Sequence, residues 1–432
     1  MRFLFAATAE AGHVNPALPI VRALVDSGHA VTFTTGAEFA AAVAGAGGSF
    51  VPLPAGTYWD PIAADLRYPH RRELTGVRRL RFGLVHGFCE LAAAQARHLL
   101  ALHATEPADA LVVDSGFVGA RFTTELGGPP VAYYGTSLLP YASRQVPPLG
   151  LALPPRAGLV GQARDRVLWA ALRAAVTGAT AAALDGQRRE LGLRPVRRTV
   201  LDWPPDAGLV VQLSPAGFDY PRQDLPPVVH FVGAPAPLPV PDWTPPAWWV
   251  ELAGRRVVVV TQGTVKTDPG QLLRPALAGL ADLDVLVVAL TGGADPAGLG
   301  PLPENARAAE YVPYGPLLPH AAAVVTNGGF GGVQLAIGHG VPLVVAGATE
   351  EKPEVAVRVA WSGTGIDLRT GSPSPVAVRA AVQRIMTEPS YAARARALAR
   401  TAPTALAAER AAALLTVLAA TGRPVIRTVS RR

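Results

Sequence analysis

The feature that most constrains the fold of this 432-residue chain is an alternation of short apolar runs with amphipathic segments, which occurs in two separate series. Each run is long enough for one buried strand, and strands that alternate with helices predict parallel sheets built from βαβ units. The predicted strands are residues 2–8, 30–35, 49–53, 110–114 and 130–134 in the first series, and 257–261, 285–290, 308–312, 322–326 and 342–346 in the second. We therefore predict an α/β protein with two doubly wound, Rossmann-like domains that face a cleft.

A proline-rich stretch separates the two series. Neither a helix nor a central strand tolerates the prolines that cluster between positions 226 and 246, so we predict a linker over 226–246. The first domain then covers 1–225 and the second 247–402, and 403–432 form a terminal helix that packs back on the first domain, followed by a tail. The longest helix is predicted over 84–104. Residues 56–81 and 140–198 interrupt the alternation, which is typical of segments that contact substrates.

Composition excludes several other classes of protein. With 50% hydrophobic and 16% charged residues the chain has too many apolar side chains to be largely disordered. Its net charge is +7, but the basic residues are interspersed with acidic ones and no known nucleic-acid-binding motif occurs, so we expect no nucleic-acid partner. The single cysteine, Cys89, allows neither an internal disulfide nor a cysteine-based zinc site. Because no run of about 18 apolar residues occurs, we expect no membrane-spanning helix and a soluble, cytoplasmic protein.

A histidine and an aspartate follow two of the predicted strands of the first domain. His13 lies in the segment Gly-His-Val-Asn-Pro at 12–16, directly after the first strand, and Asp114 closes the fourth. The carboxyl ends of parallel strands meet at one edge of a sheet, so an imidazole base and a carboxylate partner are expected there together. The alternatives are helix N-capping roles for both residues. His29 precedes a strand at the opposite edge, and we interpret it as structural.

A glycine-rich turn follows a strand of the second domain and opens a helix. Gly328, Gly329, Gly331 and Gly332 let the backbone approach a ligand closely, and the free amides of a helix N-terminus favour an anion such as a diphosphate. The spacing matches neither the dinucleotide fingerprint nor the P-loop. A tight turn without a ligand is the alternative. A second turn at 262–264 would place the Thr264 hydroxyl on the same phosphates.

These motifs together resemble a known family. Segment 12–16, the glycine turn at 327–333 and the segment Gly-Ala-Thr-Glu-Glu-Lys-Pro at 347–353 are similar to those of inverting, nucleotide-sugar-dependent family 1 glycosyltransferases of the GT-B fold. The likeness is greatest to actinobacterial enzymes that glycosylate macrolides, polyketides and other natural products. The resemblance implies that His13 is the general base and that Asp114 orients it. It also implies a dTDP- or UDP-sugar donor, a hydrophobic small-molecule acceptor and no metal cofactor.

The resemblance also implies a set of donor contacts. The implied donor-binding residues are Thr264, Val312, Asn327, Gly328, Gly329, Gly331, Gly332, Val333, Glu351 and Lys352. The chain departs from the family at several of these positions and at their neighbours. Asn327 stands where many relatives have histidine, and Leu335 stands where many have a glutamate that binds ribose hydroxyls, which favours a deoxyribose donor. Glu351 and Lys352 replace an Asp-Gln pair that reads the sugar, although Lys352 has the alternative of a solvated helix residue.

The acceptor side and the rival functions rest on weaker patterns. Aromatic residues at Tyr58, Trp59, Phe82 and Phe88 are candidates to line an acceptor pocket, with core packing as the alternative. An Asp-Leu-Asp segment at 282–284 matches a manganese-binding pattern but falls at the edge away from the cleft, so we assign no metal. Two alternatives stay open: a catalytically inactive partner of a glycosyltransferase, and a peripheral membrane transferase with a lipid-linked acceptor. A homodimer is also open.

Overall fold

The computed structural model describes residues 1–263 and 268–427, and two parallel α/β domains make up that part of the chain. The first sheet contains seven strands in the order β3-β2-β1-β4-β5-β6-β7, and every pair of neighbours is parallel. Its strands are β1 (Arg2–Ala6), β2 (Ala30–Thr35), β3 (Ser49–Pro52), β4 (Ala110–Asp114), β5 (Val131–Gly135), β6 (Ala207–Gln212) and β7 (Val229–Phe231).

The second sheet contains six parallel strands in the order β10-β9-β8-β11-β12-β13. Its strands are β8 (Val257–Thr261), β9 (Leu286–Leu290), β10 (Ala306–Ala309), β11 (Ala321–Thr326), β12 (Leu343–Val345) and β13 (Gly365–Asp367). β1 and β8, the first strand of each sheet along the chain, both lie inside their sheets and are almost wholly apolar and buried, as expected when helices cover both faces of a parallel sheet. The predicted fold class of two doubly wound domains is confirmed.

Helices cover both faces of each sheet. The helices that precede β6 are α1 (Ala11–Val14), α2 (Leu18–Asp26), α3 (Ala40–Gly45), α4 (Pro61–Arg67), α5 (Gly76–Gly87), α6 (Ala92–Thr105) and α7 (Gly158–Glu190). The later helices are α8 (Leu273–Leu280), α9 (Tyr314–Leu317), α10 (Phe330–Gly338), α11 (Lys352–Trp361), α12 (Pro375–Thr387), α13 (Pro389–Thr401) and α14 (Ala407–Thr421).

The sequence did not predict three of the strands or the longest helix. β6 contains the apolar run Leu209–Val211, which the sequence analysis did not assign to a strand. β13 has only three residues, and β7 lies inside the stretch predicted as a linker. β7 is the edge strand of its sheet, a position where nearby prolines interrupt fewer hydrogen bonds. The helix predicted over 84–104 is divided, because the backbone leaves the helical region at Phe88 and a 3-10 turn precedes α6. The longest helix is α7, with 33 residues.

Two helical segments meet the length and hydropathy expected of a membrane span, α7 and the stretch Pro389–Thr421. Core helices of globular proteins pass the same test. The sequence analysis singled out neither segment, because charged residues such as Arg173 interrupt the apolar runs, and the expectation of no membrane-spanning helix stays a prediction. In the second segment the α-helix is interrupted between α13 and α14, and α14 packs on α2 and β6 of the first domain.

Candidate active site

A cavity of about 1150 Å³ lies between the two domains. Its walls are formed by residues that follow β1, β4 and β5 of the first sheet and β8, β11 and β12 of the second. The carboxyl ends of both sets of strands therefore face the same space, which is the usual position of ligands in open parallel sheets. The sequence predicted this cleft.

His13 lies in the short helix α1, directly after β1, and its imidazole lines the cavity. Its Nδ1 atom is 3.0 Å from Oδ1 of Asp114, and its side chain keeps 26% exposure. The Tyr134 hydroxyl donates a hydrogen bond of 3.0 Å to the His13 carbonyl and so fixes the backbone of this turn. Thr136 Oγ1 lies 3.4 Å from Nδ1, a contact that no sequence signal indicated.

Asp114 is fully buried at the end of β4. The amide of Thr8 donates a hydrogen bond to Oδ2 at 2.6 Å, and the amide of Gly116 donates one to Oδ1, also at 2.6 Å. Burial opposes ionisation of this carboxyl, but the charge of His13, its hydrogen bond and the two amides together lower the pKa of Asp114 below its usual value. The carboxylate is therefore a fixed hydrogen-bond acceptor beside the histidine.

The ionised Asp114 determines which nitrogen of His13 can act as a base. A carboxylate can only accept, so Nδ1 carries the proton and Nε2 keeps its lone pair. Burial lowers the pKa of His13, but the charge and hydrogen bond of Asp114, with smaller effects of Glu10 and Glu351, raise it to about 8. The neutral imidazole can therefore take up a proton from a bound hydroxyl, and the fraction of neutral imidazole increases as the pH rises through 8.

The glycine turn approaches the same cavity from the second domain. Gly328 has a φ of +88°, and a Cβ atom there would lie 2.7 Å from Cγ1 of Val345, so only glycine fits. Gly329 precedes α10 as its N-cap, and Gly331 and Gly332 in the first turn of that helix line the cavity. The first amides of a helix have no partner within it, so this end of α10 can bind an anion.

Asn327, a predicted donor contact, also forms hydrogen bonds within the protein. Its Nδ2 donates to the carbonyl of Gln262, and its Oδ1 accepts a hydrogen bond of 3.4 Å from Gly329. The side chain therefore joins the turns after β8 and β11, while the residue still lines the cavity. Thr264, the other predicted phosphate contact near Gln262, lies outside the described residues.

The start of α11 forms a third part of the cavity wall. Glu351 and Lys352 both line the cavity. Lys352 is only 8% exposed, and its ammonium forms an ion pair with Glu350. The alternative that Lys352 is a solvated helix residue is therefore wrong.

Three of the predicted donor residues do not line the cavity. Val312 and Val333 are 1% and 0% exposed, and both pack in the apolar core of the second domain. Gly328 shapes the turn but does not line the cavity either. Leu335, which the sequence analysis noted as a departure from the family, does line it, and so does Tyr314.

The predicted acceptor residues are corrected in a similar way. Phe88 lines the cavity, whereas Tyr58, Trp59 and Phe82 do not. The ring centroids of Trp59 and Phe82 lie 6.2 Å apart in an edge-to-face arrangement, and Tyr58 packs against apolar core residues of the first domain. The apolar cavity wall comes instead from aliphatic residues on separate segments, with no shared pattern in the sequence: Leu84, Val118, Leu138, Leu149, Val200, Leu201 and Leu213.

Within residues 1–263 and 268–427 no group of three or more metal-ligating side chains is arranged to hold a metal ion. Asp282 of the Asp-Leu-Asp segment has a side chain that is 87% exposed. The segment lies between α8 and β9, at the edge of the sheet opposite the cavity, as predicted.

Comparisons with known proteins find relatives that match along most of the chain. Residues 274–413 match the family model described as "Erythromycin biosynthesis protein CIII-like, C-terminal domain". The chain is 43% identical over 397 residues to 4'-demethylrebeccamycin synthase of Lentzea aerocolonigenes, a match that covers 90% of this chain and 93% of that protein. It is 34% identical to UDP-glucosyltransferase A1 of Starmerella bombicola, over 88% of this chain and 84% of that one.

A solved structure extends the comparison to the fold. The calicheamicin glycosyltransferase CalG4 superposes with a TM-score of 0.75 and 26% sequence identity, over 97% of this chain and 98% of that chain. The two-domain arrangement around the cavity is thus shared along nearly the full length.

Proposed function

This chain belongs to the family 1 nucleotide-sugar-dependent glycosyltransferases of the GT-B fold that act on natural products, and from that membership we propose an inverting sugar transfer to a hydrophobic small molecule. The family resemblance of the sequence is thereby confirmed, and the chain is a glycosyltransferase. One observation carries the proposed mechanism: the His13–Asp114 pair and the N-terminus of α10 line the same cavity from opposite domains.

The proposed reaction is a single displacement. The acceptor hydroxyl oxygen bonds to the anomeric carbon, the bond from that carbon to the diphosphate oxygen breaks, and the diphosphate leaves with the electron pair. Nε2 of His13 takes the hydroxyl proton, and Asp114 stabilises the imidazolium that forms. One in-line displacement with the base on one side and the leaving group on the other inverts the anomeric centre.

The leaving diphosphate would lie at the first turn of α10. Preorganised amides of Gly331 and Gly332 stabilise the charge that develops on it, usually a large electrostatic contribution. In this scheme the amides at the N-terminus of α10 supply the positive potential, so we propose that the reaction needs no metal. Glu351 and Lys352 would contact the sugar.

The proposal also concerns which nucleotide carries the donor sugar. Leu335 lines the cavity at the position where the resemblance places a ribose-binding glutamate, and an alkyl side chain cannot accept a hydrogen bond from a 2'-hydroxyl. This favours a dTDP-sugar. The name of the relative from Starmerella bombicola specifies UDP, so the two donors need a direct comparison.

The acceptor would occupy the aliphatic part of the cavity beside His13. The cavity is large enough for a drug-sized molecule in addition to the donor, since typical ligand sites have volumes of roughly 300–1,000 Å³. The relatives are enzymes of natural-product biosynthesis, which does not favour an inactive partner or a lipid-linked acceptor. A cytoplasmic location and a homodimer stay predictions.

A donor and acceptor panel tests the proposal. The purified chain is incubated with UDP- and dTDP-sugars and with a set of aromatic polyketides, macrolides and related natural products, with EDTA present throughout. We expect a glycosylated product by mass spectrometry and an inverted anomeric configuration by NMR. A retained configuration, or activity only after a divalent metal is added, would contradict the mechanism.

A further inference from the structure

A buried network of four alternating charges crosses from α11 to the first domain. Its members are Glu354 and Arg358 of α11 and Asp219 and Arg222 of the first domain, and all four side chains are at most 6% exposed. Arg358 Nη1 donates to Glu354 Oε2 at 2.9 Å, and Arg358 Nε donates to Asp219 Oδ1 at 3.4 Å. The charges compensate one another, which is the condition under which buried ions are tolerated.

The carboxylate of Glu354 also holds a loop of the first domain. The amides of Gly150 and Ala152 both donate to Glu354 Oε1 at 2.6 Å. Both residues have positive φ angles, +103° and +49°, so the loop has an uncommon conformation that these hydrogen bonds stabilise. The neighbouring Leu149 lines the cavity.

Arg358 makes a second contact across the interface. Its guanidinium lies over the ring of Tyr220 at 4.0 Å, and that ring packs edge to face on Trp361 at the end of α11. A guanidinium over an aromatic ring, removed from water, is a favourable arrangement. One face of α11 is therefore attached to the first domain along its length.

The network continues to the wall of the cavity. Arg222 pairs with the other oxygen of Asp219 at 2.9 Å and donates to the carbonyls of Leu139 and Tyr141 at 3.4 Å. Tyr141 lines the cavity on the acceptor side. A continuous series of contacts thus joins the first turn of α11, where Lys352 lines the donor side, to the wall beside His13.

We propose that Glu354 and Arg358 are positioning residues that couple the donor-binding helix α11 to the acceptor wall through Asp219, Arg222 and the loop at 150–152. The terms donor side and acceptor side of the cavity rest on the proposed function. Sugar transfer requires the two substrates to be aligned across a cleft between domains, and small misplacements are costly. These residues touch neither substrate and act through the helix and the loop.

Hydrogen exchange tests the coupling without any need for activity. Exchange is measured on the peptide that contains Gly150 and Ala152, with and without TDP or UDP. We expect slow exchange in the wild type, further slowed by the nucleotide, and at least about tenfold faster exchange in Glu354→Ala that no longer responds to nucleotide. Unchanged exchange in Glu354→Ala would overturn the proposal.

Kinetics then test the positioning role. Arg358→Met leaves each carboxylate a partner, because Asp219 keeps Arg222 and Glu354 keeps two amides, so the fold should survive. We expect kcat for transfer to fall at least about tenfold while the Kd for nucleotide stays within about twofold of wild type. A parallel loss of nucleotide affinity, or unchanged transfer, would contradict the assignment.

Arg307→Met is the matched control. Arg307 pairs with Glu251 within the second domain, and neither residue lines the cavity. We expect its kinetics to match the wild type. If no donor is turned over by the wild type, the proposed function fails, and the exchange experiment still decides whether the two domains are coupled.

Discussion

His13 and Asp114 are separated by 101 residues in the chain and by 3.0 Å between Nδ1 and Oδ1. The parallel pairing of β1 with β4 brings them together, since Ala6 lies in register with Val113. Asp114 follows Val113 directly, and His13 lies in α1, the first helix after β1. Two hydrogen bonds to backbone amides then fix the carboxylate. The base is therefore oriented before any substrate binds, which is the condition for efficient proton transfer.

Replacing His13 by alanine should reduce kcat at least about 10²-fold, because general base catalysis is lost. Nucleotide affinity should change little, since His13 lies across the cavity from α10. Initial rates and nucleotide titration by calorimetry measure the two effects. His70→Ala is the control, because that side chain is 84% exposed and does not line the cavity. A loss of activity under about tenfold would exclude His13 as the base.

The pH dependence of kcat/KM should report the ionisation of His13. Only the neutral imidazole accepts a proton, so the rate should rise with pH and level off above about 8. In Asp114→Asn the interactions that raise this pKa are removed, so the plateau should begin at lower pH and should also be lower. Asp109→Asn, which is remote from the cavity, should keep the wild-type profile. An unchanged profile in Asp114→Asn would contradict the coupling.

The same ionisation should contribute to stability. The folded-state pKa of about 8 lies above the unfolded value of 6.5, so the stabilisation is complete below pH 6.5 and is lost as pH rises through 8. The shift corresponds to about 2 kcal/mol. The difference in free energy of unfolding between the wild type and His13→Gln should therefore decrease by roughly this amount between pH 6 and pH 9 in urea titrations. A constant difference would show that the imidazole has the same pKa in the folded and the unfolded state.

The position of Asp114 should also be sensitive to its neighbour Gly116. A Cβ atom at 116 would lie 2.8 Å from Oδ1 of Asp114, closer than real contacts allow. Gly116→Ala should therefore displace the carboxylate and reduce kcat at least about tenfold. Gly45→Ala is the control, because that glycine of α3 has open space around its Cα. Equal kinetics of the two variants would mean that the loop at Gly116 can shift without displacing the Asp114 carboxylate from His13.

The parts of the fold and site that the sequence predicted have local signals. The buried strands β1, β4, β8 and β11 are continuous apolar runs, and His13, Asp114 and the glycine turn stand directly at their ends. Parallel topology places such ends together, so the cleft could be inferred without knowledge of any distance.

The parts that were missed depend on tertiary contacts. Phe82 of α5 was a candidate for the acceptor site, but it packs edge to face against Trp59 and Tyr68, which flank α4, and only packing determines that orientation. Asn327 reaches the carbonyl of Gln262, 65 residues away, and Glu354 reaches amides more than 200 residues away. Periodicity carries no information about contacts at this separation.

The preference for the donor base should depend on Leu335. This side chain is partly buried at the cavity wall in the second turn of α10. A carboxylate at this position could accept a hydrogen bond from the 2'-hydroxyl of ribose, which deoxyribose lacks. A hydrogen bond to a charged group contributes roughly 1.5–3 kcal/mol. Leu335→Glu should therefore raise the ratio of kcat/KM for UDP-sugars to that for dTDP-sugars by about tenfold or more, measured with the same sugar on both nucleotides.

Leu335→Met is the control, because it keeps an apolar side chain of similar volume and should keep the wild-type preference. If Leu335→Glu binds both nucleotides as the wild type does, the residue does not face the ribose, and the inference that Leu335 favours a deoxyribose donor is wrong.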